Sequence, residues 1–246
     1  VLTGSESALQ DARLSRIKES VMTNRTVVQT GLVSSALVLA GAMIAMGPRV
    51  SMDGTNGTVV QGVRGVGTVA PSPEIKRDVA SSILFMREEE KLARDVYWTL
   101  GQMWGANVFF NIVDAEQSHM DAMALIIEQY GLVDPVVDDT VGVFATQDFA
   151  DLYTLLVIMG SDSLMDAYKV GAKIEELDIF DLRVSLIGVT DPVLIDVYEN
   201  LMRGSRNHLR AFARQIYNNG GTYVAEHLTQ EEFDAIANSD MEPGGG

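Results

Sequence analysis

From Ser72 to Ala237 apolar residues recur every three or four positions, the period of helices with one buried face. Gly, Pro, Asp and Ser collect between the periodic stretches. The run SPEIKRDVASSILFMREEEKLARDVYWTLGQMW predicts a first helix, with Ser72 as cap, Pro73 in the first helical position and Gly105 as the stop. A second helix is predicted from about Val108 to Tyr130, ended by Gly131. A connection of roughly thirty residues follows, far longer than an ordinary helix–helix turn. It carries the turn-rich DPVVDD and one short helix, about Gln147 to Met159, ended by Gly160. Ser161 and Ser163 offer caps to a third long helix that reaches Ile187. GVTDP is a tight turn placing Pro192 at the start of a fourth long helix, which extends to about Asn218. Thr229 and Glu232 in LTQEEFDAIA form a capping box for a short tail helix. No repeat of fixed period is present, and the predicted class is all-α.

At about 100° per residue each long helix has a core face that can be read off. The first presents Phe85, Glu89, Leu92, Val96, Leu100 and Met103; the second Ile112, Glu116, His119, Met123, Ile126 or Ile127, and Tyr130. The third presents Leu164, Tyr168, Gly171, Glu175, Asp178 and Leu182; the fourth Leu194, Tyr198, Leu201, Ser205, His208 and Phe212. Every stripe is apolar at its ends and polar near its middle. A carboxylate in a dry core is costly unless compensated, and several together raise one another's pKa. Glu89, Glu116, Glu175 and Asp178 converging with His119 and His208 cannot compensate one another, whereas divalent cations can. Glu116-x-x-His119 puts both groups on one side of a helix, one turn apart.

Each element has a duller reading. REEEKLARDVY also suits a solvated face, its acids pairing with Lys91 and Arg94. Glu89 is preferred within it because it lies mid-stripe, while Glu88 sits at the edge and Glu90 faces away; Glu176 is likewise off-face beside Glu175. His208 alone reads as a core histidine, and Tyr168 and Tyr198 as packing. The coincidence across four helices favours the metal.

Composition narrows the classes. The chain of 246 residues has no cysteine, which excludes disulfides, Cys nucleophiles and cysteine-held iron centres. A net charge of −16 argues against nucleic acid as a partner. Residues 1–21 are polar and read as an upstream or disordered segment, with the natural product expected to start at Met22. Residues 22–46 combine Arg25, an apolar run from Gly31 to Met46 and the small triplet Ala40-Gly41-Ala42. That is the layout of an export signal. An uncleaved anchor, which would add a membrane partner, is the alternative, so the expected location is extracytoplasmic or membrane-anchored. Residues 47–72 read as a flexible linker, 73–237 as the helical bundle and 238–246 as a disordered tail.

The stretches FMREEEKLARDVYWTLGQMWG, FFNIVDAEQSHMDAMALIIEQYGL, VGAKIEELDIFDL, VYENLMRGSRNHLRAF and GGTYVAEHLTQEEFDAI resemble the ferritin-like superfamily. More narrowly, they resemble a bacterial and archaeal family catalogued as domain of unknown function 2202. The tight first and last helix pairs with a long crossover between helices two and three suit a ferritin-like four-helix bundle with short extra helices. The resemblance implies a carboxylate-bridged pair of metal ions, iron first, with manganese or a mixed pair as alternatives. The ligand positions carried over are Glu89, Glu116, His119, Glu175 and His208. The fourth helix departs from the pattern, having Ser205-Arg206-Asn207-His208 where Glu-x-x-His is expected; either Asp178, one turn after Glu175, is the substitute acid, or one metal is under-coordinated or the site binds a single ion. The resemblance implies no particular reaction; the leading expectation is an oxidoreductase on dioxygen or peroxide, of ferroxidase or peroxidase type, supplied by an external electron donor. A metal-binding protein without turnover and a structural bundle are the other classes. Apolar stripes do not separate a monomer from a homodimer.

Overall fold

The computed structural model describes residues 78–244. The expectations for segments 1–21, 22–46 and 47–72, and for Ser72 and Pro73, fall outside the described residues. Among the described residues there are six helices and no strand. They are α1 Val79–Trp104, α2 Asn107–Gln129, α3 Gln147–Gly160, α4 Leu164–Leu186, α5 Pro192–Asn218 and α6 Gln230–Ala237. No described helix is long and apolar enough to cross a membrane.

The boundaries follow local chemistry. Asp78, with an extended ψ of 162°, caps α1 by accepting from the Ser81 amide at 3.0 Å. Gly105 ends α1 at φ 67°, a conformation that costs glycine nothing. Ser163 caps α4, Asp191 caps α5 ahead of Pro192, and the Thr229 hydroxyl accepts from the Glu232 amide to start α6.

The long helices pack α1 on α2 and α4 on α5, with α1 also against α4 and α2 against α5. Ile83, Met86, Tyr97, Phe109, Met123, Leu182, Leu201 and Phe212 fill the space among them. Each such side chain contributes about 1.5–3 kcal/mol when fully buried. α3 lies across α1 and α4, and α6 on α5.

The surroundings of α1 overturn the reading of REEEKLARDVY as a solvated face. Arg87, Glu88, Glu89, Glu90, Lys91, Arg94 and Asp95 are all buried. The connection between α2 and α3 folds back over the helix. Arg87 holds Asp134, Glu88 accepts the Ala145 amide, and Asp95 accepts the Gly142 amide at 2.9 Å. Lys91 Nζ donates to Asp95 Oδ2 at 2.5 Å and to the Thr140 carbonyl at 3.0 Å. Arg94 bridges Asp95 and Asp139. Charge runs of this kind are normally wet; here they are the fastening of the crossover.

The described residues after α6 are tied down: Glu242 pairs with Arg206 and Arg210 on α5, and Asn207 exchanges hydrogen bonds with its backbone. These bonds turn the chain back along α5, which composition alone did not signal.

Candidate metal centre

Midway along the four long helices, Glu90 of α1, Glu116 and His119 of α2, Glu175 of α4 and His208 of α5 meet, none more than 7% exposed. His119 Nδ1 lies 2.9 Å from Glu116 Oε2 and 3.2 Å from Glu90 Oε2. His208 Nδ1 lies 2.9 Å from Glu116 Oε1 and 3.6 Å from Glu175 Oε1. The two imidazole centroids are 5.6 Å apart. Two triads result, Glu90–Glu116–His119 and Glu116–Glu175–His208, each with one ligand atom per residue within 4.8 Å of the others. Glu116 belongs to both.

The α1 acid is Glu90, not Glu89. Glu89 is buried but outside both triads, and Glu90, expected to face away, is the one that touches His119. Because the crossover covers the outer side of α1, an apolar stripe there marks packing against α3 and its connection as much as packing against the other long helices. The row Ile83–Met86–Glu90–Tyr97 is as helical as the row through Glu89, and it is the one that points at α2, α4 and α5. Asp178 is buried but in neither triad; Ser205 donates a hydrogen bond to its Oδ2, while Oδ1 has no hydrogen-bond partner. Tyr97, absent from the sequence reading, donates to Glu175 Oε1 at 2.6 Å.

Burial pushes Glu90 up to about 7 against the pull of His119, and Glu175 up to about 7 against that of His208. Asp178 is driven well above the carboxylate range by burial and then by the charge of Glu90. For Glu116 burial acts upward too, but His208 and His119 on either side outweigh it and hold the group below its usual value. Burial works against charge on His208, yet Glu116 and Glu175 raise it to about 10. His119 is raised likewise by Glu90 and Glu116. Without a metal, protons and imidazolium charge are what keep these acids together.

The donor set fits cations better than protons. Glu90 Oε1, Glu116 Oε1, Asp178 Oδ1 and His208 Nδ1 are buried without a hydrogen-bond partner. For His208 Nδ1 and Glu116 Oε1 this holds although they are only 2.9 Å apart, because they are out of line for a hydrogen bond. Buried polar atoms are seldom left so, and lone pairs converging on shared space suit an ion. Two divalent ions would balance the charge of Glu90, Glu116, Glu175 and Asp178 with both imidazoles neutral.

The class is therefore an all-helical protein whose buried carboxylates and imidazoles can hold a metal ion. The chain belongs to the family described as an uncharacterised protein domain, DUF2202, which matches residues 79–240 and so includes every residue of the cluster. It is 45% identical over 174 residues to the uncharacterised protein MJ0754 of Methanocaldococcus jannaschii, covering 71% of this chain and 94% of the relative. The crystal structure of that hypothetical protein superposes with a TM-score of 0.66 at 44% identity, covering 71% of this chain and all of the other.

Proposed function

We propose that the cluster is a carboxylate-bridged dinuclear centre of the ferritin-like kind, that its ions are iron, and that the protein is an oxidoreductase acting on dioxygen or peroxide. The observation that carries the reading is the double role of Glu116, whose Oε2 faces His119 and whose Oε1 faces His208. A single shared carboxylate between two triads is the arrangement that holds two cations side by side. Glu90 and His119 complete one position, and Glu175 and His208 the other. Asp178, steadied by Ser205, supplies the fourth negative charge, in place of an acid on α5. When bound, a ferrous pair supplies two electrons to an O–O bond. The chain's own groups exclude water, keep the imidazole Nδ1 atoms turned inward and hold the charge balance. Electrons for repeated turnover come from an external donor, since the chain contains no cysteine to hold a redox centre of its own.

The test is anaerobic loading with ferrous iron followed by air or peroxide. Two irons per chain and continued oxidant consumption with a reductant present are expected. Two irons oxidised once, with no further consumption, would reduce the protein to a metal binder. No uptake of iron, manganese or zinc above background would end the reading altogether.

A further inference from the structure

We infer that Tyr97 and Gly204 are positioning residues, each serving one half of the cluster: Tyr97 holds Glu175 for the Glu116–Glu175–His208 triad, and Gly204 seats His119 for the Glu90–Glu116–His119 triad. The inference rests on the dinuclear reading and extends it, because two independently supported halves bind their ions with separable affinities.

Tyr97 is fully buried, and its hydroxyl donates to Glu175 Oε1 at 2.6 Å, with a longer contact to the Gly171 carbonyl at 3.3 Å. Its ring is held by Phe212 at 5.1 Å and Phe109 at 6.2 Å between centroids. Phe212 in turn lies on bare backbone, since a Cβ on Gly171 would stand 2.5 Å from its ring. Gly171 is one turn before Glu175, and Phe212 one turn after His208, so these supports reach the α4–α5 half of the cluster. A phenol with no room to turn holds Glu175 Oε1, the oxygen that faces His208 Nδ1, in place beside the other ligand atoms.

The other half has a different support. At Gly204 a Cβ would stand 2.4 Å from His119 Cε1 and 2.5 Å from Nε2. α5 therefore presses its backbone against the far edge of the imidazole and leaves Nδ1 facing Glu90 and Glu116. Restoring an ordinary contact of 3.4 Å would move the ring by about 1 Å, enough to spoil a ligand bond.

Titration calorimetry of the metal-free full chain with Mn²⁺ tests this on the wild type, Tyr97→Phe and Gly204→Ala, with His208→Ala and His119→Ala as references for each half. The wild type is expected to take two ions in two steps; one ion or none overturns the dinuclear reading and this inference with it. Given two, Tyr97→Phe should weaken by about 10–100-fold the step that His208→Ala abolishes, and leave the other unchanged. Gly204→Ala should do the converse, weakening the step that His119→Ala abolishes. Equal weakening of both steps, or of neither, overturns the inference while leaving the dinuclear reading intact. If Gly204→Ala lowers the thermal midpoint of the metal-free protein, the double variant His119→Ala/Gly204→Ala should recover the midpoint of His119→Ala. A double variant as unstable as Gly204→Ala would mean that the methyl meets something other than the ring, and would sink the role given to Gly204.

Discussion

Glu116→Gln is the substitution that probes the cluster most directly, because it keeps the shape of the side chain and removes one charge. Glu116 is 2% exposed, and its two oxygens each lie 2.9 Å from an imidazole nitrogen on opposite sides. Taking one partner out of a buried charge cluster costs about 3–5 kcal/mol. At roughly 1.4 kcal/mol per decade, that is about two to three and a half decades of affinity. One oxygen serves each ion, so both binding steps should suffer. Glu90→Gln touches one triad and should weaken one step by a similar factor, while Glu89→Gln should leave the stoichiometry at two. Calorimetry with Mn²⁺, backed by metal content after dialysis, measures all three. A Glu116→Gln protein that keeps one ion at wild-type affinity would refute the shared-ligand reasoning. Equal effects of Glu89→Gln and Glu90→Gln would refute the register given to α1.

The stability of the metal-free protein should fall as pH rises. Glu90 and Glu175, raised from 4.5 to about 7, bind protons more tightly folded than unfolded, so their contribution is lost between those values. His208, raised from 6.5 to about 10, adds a second loss across that interval. Bound cations take the place of those protons, so thermal melts should show a larger gain from Mn²⁺ at about pH 9 than at about pH 5, and an equal gain would contradict the argument. Away from the cluster, Lys91→Met should cost about 3 kcal/mol, the lower end for a broken buried pair, because Arg94 still holds Asp95 Oδ1 at 2.8 Å. Denaturant melts measure the loss. Amide exchange at Gly142, whose N–H donates to Asp95, should quicken with it; unchanged exchange would show that the crossover does not depend on Lys91.

Much of this protein is legible from local chemistry. Helix ends follow from Gly105, Ser163, Pro192 and Thr229, since caps and stops act within a few residues. Glu116 and His119 could be picked because α2 keeps an exposed outer face that leaves its inner one identifiable by periodicity, and Glu175 and His208 because their stripes are the ones turned to the other long helices. On α1 that argument fails. A 3.6-residue period says which side chains share a face, but not which face looks inward when both are covered. The crossover buries Glu88, Lys91 and Asp95 on one side of α1 as thoroughly as the other long helices bury Glu90 on the other. Only the tertiary structure could choose Glu90 over Glu89, bring Tyr97 to Glu175 and lay Gly204 against His119, because each depends on contact between segments far apart in the chain.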